Sequence, residues 1–311
     1  MSFGSDSTDG SWNDIFAAAF VMWASTELTF WSVNLFFFSI EYFGLFANHR
    51  IHKEGSDMSQ FAETLLHKPI TYLVDVPIYL LTAWSSAAAG KTVHEPLPGA
   101  AEIATQVLIA TLTFDFMFYW WHRNLHSKLM WPYHKKHHEV KVCYASANDH
   151  EDILEVSGNI LWKMIPPIVM KSHVYTVCVF RSVVKFFALL HHSGYELPVF
   201  QPLQAIPFMS SPANHDFHHY IGHSNYGGVF MLWDYIFGTY TTWGERAQQK
   251  GHRASLVSML TVREKVAASK KQYEEFSDEA LIKLACQKVQ AEDGPSFTKR
   301  RRASILKVIN Q

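Results

Sequence analysis

Residues 120–139 read W-W-H-R-N-L-H-S-K-L-M-W-P-Y-H-K-K-H-H-E and hold five histidines: His122, His126, His134, His137 and His138. A second concentration follows, with His191 and His192, then His215, His218 and His219 within N-H-D-F-H-H-Y. Of the 18 histidines in the chain, thirteen lie between His122 and His223. Residues three and four apart share one face of a helix. His122 and His126 are therefore expected on one side, as are positions i, i+3 and i+4 of both H-x-x-H-H blocks. Two imidazoles one turn apart can hold a single metal ion, and imidazole suits zinc, copper, iron and nickel. Blocks supplied by separate helices point to a polynuclear site, as in helical bundles with two metals, here with histidine in place of carboxylate. A lone histidine reads more simply as a solvated base or a satisfied core side chain. Three blocks of repeated spacing do not.

Outward from these blocks the chain is apolar. Of its 311 residues, 48% are hydrophobic, 15% are aromatic and only 18% are charged, the last below the roughly 25% usual in soluble chains. The formal net charge of −1 excludes a nucleic-acid partner. Cys143, Cys178 and Cys286 form no C-x-x-C pair and no zinc pattern, and read as unpaired thiols of a reducing compartment. No cleavable signal peptide is expected, because the start lacks a basic region and its apolar stretch is long.

Residues 1–12 are expected to be a disordered arm, and 13–121 to be membrane helices. Candidate spans are 28–46, 70–89 and 101–121, each about as long as a bilayer core of about 30 Å requires. Residues 15–24 are too short to span and read as an interfacial lead-in. Glu41 is costly at mid-membrane and is expected near a helix end or facing the bundle interior. The aromatic run F-D-F-M-F-Y-W-W ending at Trp121 places His122 just outside the hydrocarbon, since Trp and Tyr gather at the interface. Residues 122–242 form the expected catalytic region. Within it, 153–190 is apolar but carries Lys163, Lys171, Arg181 and Lys185. Pro166-Pro167 marks a break there, so an embedded helical hairpin with both ends on one side is expected. The four cations require it to be partly buried in protein or to dip only into the membrane. Residues 243–311 hold 14 Lys/Arg against 8 Asp/Glu and read as a basic tail.

No Lys or Arg precedes Arg50, whereas the 47–68 loop, the 123–141 segment and the tail are all basic. The positive-inside rule puts those regions in the cytoplasm. Three spans before His122 then leave the N-terminus outside and the histidine site on the cytoplasmic face. The fold class is thus all-α, a multi-pass membrane bundle with a cytoplasmic histidine-rich di-metal site.

The motifs H-R-N-L-H, H-K-K-H-H-E, H-S-G-Y-E-L-P and N-H-D-F-H-H, followed by N-Y-G-G and W-D-Y-I-F-G-T-Y, resemble the fatty acid hydroxylase / sterol desaturase superfamily of membrane di-iron oxygenases. Within it, H-S-G-Y-E-L-P and H-D-F-H-H look most like the sterol 4-methyl oxidases. The resemblance spans about residues 114–240. It implies two iron ions, molecular oxygen, a sterol-like lipid substrate, and cytochrome b5 with its reductase as electron donor in the endoplasmic reticulum membrane. The metal ligands it implies are His122, His126, His134, His137, His138, His192, His215, His218 and His219. His150 and His191 stay open. His150 stands in H-E-D-I rather than the H-P-x-E of the sterol enzymes, with Glu155 two residues too late, and His192 rather than His191 directly precedes Ser193-Gly194-Tyr195. Asp216, Asp149, Asp234 and Asp152 are candidates for orienting imidazoles from behind. No G-x-G-x-x-G fingerprint appears, so electrons must come from a partner, and a basic surface suits an acidic one. Hydroxylation of a sphingoid base or of a sterol elsewhere, and sterol desaturation, use the same chemistry. A histidine-rich zinc transporter would instead place its ligands at the bilayer midplane.

Overall fold

Nine α-helices and no strand occur among the described residues, and their outer faces carry large apolar side chains. The computed structural model describes residues 12–52, 55, 56 and 58–242. The arm before Trp12 and the basic tail from residue 243 lie outside that range. Met1–Tyr240 forms one unit and Thr241–Gln311 a second, of which only residues 241 and 242 are described.

The helices are α1 (Trp12–Tyr42), α2 (Phe61–Ala88), α3 (Ala100–Leu125), α4 (Trp131–His134), α5 (Ile153–Val169), α6 (Val174–His191), α7 (Gln201–Gln204), α8 (Pro212–Ile221) and α9 (Leu232–Ile236). α1 is one helix of 31 residues where the sequence suggested a lead-in and a separate span. No Pro or Gly interrupts Trp12–Tyr42, so nothing breaks the hydrogen-bond ladder between the two stretches. At about 1.5 Å per residue it is longer than a bilayer core of about 30 Å is thick.

α1, α3 and α6 are long and apolar enough to cross a membrane. α2, with 28 residues, is long enough but not apolar enough by the same measure. The three spans expected before His122 thus reduce to two that qualify on composition, because Lys68, Asp75 and the hydroxyl residues of α2 lower its hydropathy. Leu28 and Leu35 on α1 are 70% and 67% exposed, and Phe16, Phe20, Leu73, Leu108 and Ile109 join them on the outside. An apolar exterior of this extent belongs against lipid.

α6 is the central helix. Val174, Val177 and Cys178 pack on Ile15, Met22 and Ala83 of α1 and α2. Phe187 and Leu190 pack on Phe30 and Phe37 of α1, and on its other side Phe180 and Val184 meet Ala110 and Phe114 of α3. Three of the hairpin cations, Lys163, Arg181 and Lys185, turn inward, as expected for a segment buried in protein, whereas Lys171 is exposed at the turn. Arg181 Nη2 donates to Tyr79 Oη at 2.6 Å and reaches Asp75 at 3.5 Å. Lys185 donates to Asp149 Oδ1 at 2.5 Å. Lys68 lies 3.2 Å from Glu27 and 3.3 Å from Asp149. Glu41, at the end of α1, faces inward to Arg50 at 3.1 Å.

The hairpin turns later than its sequence suggested. The chain stays helical through Pro166 and Pro167 and reverses over residues 170–173. Proline removes two N–H groups whose partners would be Trp162 and Lys163. Their own carbonyls are still used: Met170 N–H donates to Pro166 O and Ser172 N–H to Pro167 O, both at 3.0 Å. Lys171 takes φ +47° to make the turn. Both hairpin ends return to the histidines, with Glu155 near the start of α5 beside His134 and His192 at the end of α6 beside His137.

Candidate metal centre

α3 does not stop at the aromatic run. It continues to Leu125, so His122 lies in its last turn and His126 forms its C-cap. The next block sits on α4 and on a 3-10 turn over His137–Glu139. α8 carries the last block, and its limits are written locally. Ser211 Oγ accepts from Asn214 N–H, Pro212 occupies the first turn, and Gly222 ends the helix at φ +69°, a conformation that costs glycine little.

The imidazoles sort into two sets. His122, His126, His134, His138 and His218 bring their nitrogens within 4.8 Å of one another, and His137, His192, His215 and His219 do the same. The H-H pair of each H-x-x-H-H block is divided between the sets: His138 and His218 go to the first, His137 and His219 to the second. Positions i and i+4 stay together, as in His122/His126, His134/His138 and His215/His219. Positions i and i+3 separate. The expectation that all three positions of a block point one way is corrected here. At 3.6 residues per turn, adjacent residues point about 100° apart, so i+3 and i+4 lie on opposite flanks of residue i.

Within the first set, Nε2 of His126 lies 3.0 Å from that of His134, 3.2 Å from that of His138 and 3.2 Å from that of His218. Within the second, Nε2 of His192 lies 2.9 Å from that of His215 and 3.2 Å from those of His137 and His219. With a metal–imidazole bond of about 2.1 Å, two nitrogens sharing an ion at right angles stand roughly 3.0 Å apart, and at tetrahedral angles roughly 3.4 Å. The observed spacing fits right angles. Each set can therefore hold one ion with coordination positions to spare, unlike a closed tetrahedral zinc site.

Several rings are fixed from behind through Nδ1. His122 Nδ1 donates to Tyr226 O at 2.9 Å, His192 to Ala188 O at 2.7 Å and His218 to Ser224 O at 2.6 Å. His134 Nδ1 lies 2.8 Å from Glu155 Oε1 without hydrogen-bond geometry. A proton on Nδ1 leaves Nε2 as the donor toward metal. Burial, and then neighbouring imidazoles, hold His134, His137, His138, His215, His218 and His219 well below the ordinary imidazole range. These rings are neutral at pH 7, the form that binds metal.

The two open histidines fall outside both sets. His150 is buried, with Nδ1 3.2 Å from Thr64 Oγ1 and Nε2 3.3 Å from Glu139. His191 is buried beside the sets, its ring 6.4 Å from that of His215.

The aspartates do not sit behind these rings. Asp216 turns away and takes Nε2 of His52 at 2.8 Å, because its place between His215 and His218 puts it on the opposite flank of α8. Asp149 is occupied by Lys68 and Lys185. Asp152 caps α5 by accepting from Leu154 N–H. Asp234 acts one step removed. It accepts from Tyr226 N–H at 2.8 Å and Gly227 N–H at 2.7 Å, and so holds the loop whose Tyr226 carbonyl meets His122. A Cβ on Gly227 would lie 2.1 Å from Phe230 O, so only glycine fits there.

Three contributors escaped the sequence reading. Asp115 on α3 accepts from Gly228, Val229 and Phe230 N–H at 3.1, 2.7 and 3.3 Å, and secures the same loop. A single acid inside an apolar span was its signal. Glu155 is seen in sequence only as misplaced from a motif, and the Tyr226 carbonyl has no sequence signal at all. A cavity of about 50 Å³ touches both sets, lined by His122, His137, His192, His215, Glu155 and Val184 among others. At roughly 10–15 Å³ per water on this measure, it has room for a few small molecules.

A fatty acid hydroxylase family model matches residues 107–239, which contain every member of both sets. Methylsterol monooxygenase 1-3 of Arabidopsis thaliana is 32% identical over 212 residues, 64% of this chain and 70% of that protein. Very-long-chain aldehyde decarbonylase GL1-11 of Oryza sativa subsp. indica is 28% identical over 235 residues, 74% of this chain and 88% of that protein. Methylsterol monooxygenase 1-1 of Arabidopsis thaliana is 34% identical over 150 residues, 46% of this chain and 49% of that protein. No solved structure matches. With the histidine motifs, the helical fold and these relatives in agreement, the chain belongs to the fatty acid hydroxylase / sterol desaturase superfamily, whose members are oxygen-dependent oxidoreductases of membranes.

Proposed function

We infer that this membrane lipid hydroxylase or oxidase holds two iron ions and oxidises a sterol 4-methyl group. The observation that carries the reading is the sorting of nine imidazoles into sets of five and four around one small cavity. The substrate rests on similarity to the methylsterol monooxygenases. Bound iron would supply activation of oxygen and removal of hydrogen from an unactivated carbon. Each turnover consumes RH, O2, two electrons and two protons, and releases ROH and water; repetition on one methyl group reaches the acid. The protein's own part is to leave Nε2 of His122, His192 and His218 deprotonated through hydrogen bonds at Nδ1, and to confine the reacting carbon to a cavity walled by Phe114, Phe118 and Val184. A larger apolar cavity of about 320 Å³, between α1 and the 144–146 and 193–195 segments, offers room for a lipid body.

The ligands are the nine histidines already named, with His150 and His191 as supporting residues. Electrons come from cytochrome b5 and its reductase, which requires the centre to face the cytoplasm from the endoplasmic reticulum membrane. The basic loops support that orientation. The domain limits proposed from sequence, 13–121 for membrane helices and 122–242 for the catalytic region, accompany this reading.

A second reading follows from the rice relative, which is matched over 88% of its length: cleavage of a long-chain aldehyde on the same centre. Purified protein loaded with iron and supplied with reductant separates the two. Oxidation of a 4,4-dimethylsterol, with about two irons per chain, is the expected result. Conversion of a long-chain aldehyde with no action on the sterol would move the assignment to the second reading. Zinc without oxygen consumption would end both.

A further inference from the structure

The geometry points to Glu155 as a positioning carboxylate shared by the two histidine sets. In sequence, Asp152-Ile153-Leu154-Glu155 reads as a helix start with an acid at its third position, where it would reach back to the cap's backbone N–H. Asp152 does cap α5. Glu155 does not complete that motif. It is 2% exposed and points into the protein, with Oε1 2.8 Å from Nδ1 of His134 in the five-histidine set, a close contact outside hydrogen-bond geometry. Its other oxygen, Oε2, is buried with no hydrogen-bond partner among the described residues. Glu155 also brings a carboxylate oxygen within 4.8 Å of a ring nitrogen of His137, in the four-histidine set, with Glu151 in the same group. Nδ1 of His137 is likewise buried without a partner among the described residues. The rings of His134 and His137 stack, their centroids 5.3 Å apart, so one carboxylate can address both from the cavity side.

The placement is held from outside. Asn159, one turn along α5, donates to Glu151 Oε1 at 2.8 Å and accepts from Trp121 Nε1 at 3.0 Å. That ties α5 to α3 one residue before His122. Glu155 thus acts through His134 and His137: its carboxylate sets the orientation of both rings, the role outer-shell carboxylates play behind metal-bound imidazole. It does this for two centres at once.

This inference rests on the metal reading, and the test separates the two. Protein carrying Glu155→Gln, Glu155→Ala or Asp152→Asn is compared with the parent after ferrous loading under argon. Iron per chain is measured by mass spectrometry, retention is measured against a graded chelator, and Mössbauer spectra are recorded. A parent that binds no iron defeats the metal reading. With a loaded parent, Glu155→Ala is expected to weaken retention of both irons about 10- to 100-fold. Glu155→Gln, which keeps the shape and one acceptor, is expected to lie between, with altered quadrupole splitting at both sites. Asp152→Asn is expected to leave both readouts unchanged. Retention and spectra matching the parent in Glu155→Gln would overturn the positioning role, even if Glu155→Ala failed to fold. Loss of one iron with the other unperturbed would overturn the shared role.

Discussion

Replacing Asp115 with alanine tests whether a carboxylate buried in a membrane helix holds the loop behind the centre. Its Oδ1 accepts from Val229 N–H at 2.7 Å and Gly228 N–H at 3.1 Å, with Phe230 N–H longer at 3.3 Å. Removing the acceptor leaves each buried N–H donor unpaired, at about 1–3 kcal/mol. Counting only the two shorter bonds, Asp115→Ala should cost about 2–6 kcal/mol. At about 2–4 °C per kcal/mol for a domain of this size, melting should fall by about 4–24 °C. Asp115→Asn keeps an accepting oxygen, so at most about half that cost is expected. The loop also carries the Tyr226 carbonyl that receives His122 Nδ1–H, so metal content should fall along with melting temperature. The assay is thermal unfolding in mild detergent, with metal analysis of the same samples. An Asp115→Ala protein melting within about 2 °C of the parent would refute the reasoning, as would Asn and Ala variants of equal cost.

His137→Ala and His218→Ala, drawn from different sets, should each abolish turnover and remove one metal per chain, whereas His49→Ala and His94→Ala should leave both unchanged; turnover and metal stoichiometry check this. Lowering the pH should destabilise the metal-free protein. The buried rings of His134, His137, His138, His215, His218 and His219 have lowered values, so the unfolded chain takes up protons first. Stability is complete above about pH 6.5 and declines below it, by up to about 1.4 kcal/mol per pH unit for each ring. Denaturant titrations at pH 7 and pH 5.5 should differ in that direction, and equal midpoints would contradict the assigned burial. For topology, a protease-sensitive tag after Gln311 should remain accessible from the cytoplasmic side of microsomes. A lumenal C-terminus would refute the proposed cytoplasmic orientation of the centre and, with it, the proposed electron donor.

Much of the site was legible because metal binding constrains sequence spacing. An imidazole pair four residues apart on a helix must share a face, and His122/His126 and His215/His219 do; His134/His138 pair the same way across the end of α4 and the following 3-10 turn. The division of His137 from His138 and of His218 from His219 was not legible. It depends on what stands across from each ring, and that is set by how α3, α6 and α8 pack. The spans at α1 and α3 are readable from apolar length, but the 15–24 and 28–46 stretches read as separate because Glu27 lies between them, and Glu27 is paired inside the bundle with Lys68 at 3.2 Å. The aspartates were expected behind the histidines because they are near them in sequence. Tertiary packing instead supplied backbone carbonyls and Glu155, and a carbonyl leaves no mark on the residue type that bears it. The hairpin was recognised from its prolines, yet its turn came later because the helix could continue on the carbonyls of those same residues.

The division of the H-H pairs also governs when a centre can exist at all. The five-histidine set needs His218 and the four-histidine set needs His215 and His219, so both wait for α8. A ribosome that has released the chain only as far as residue 211 has delivered His122, His126, His134, His137, His138 and His192, but neither set is closed. Metal binding therefore belongs to a late step of biogenesis, after the apolar helices have entered the bilayer. Both sets close over a short interval, since the ten residues of α8 complete them together.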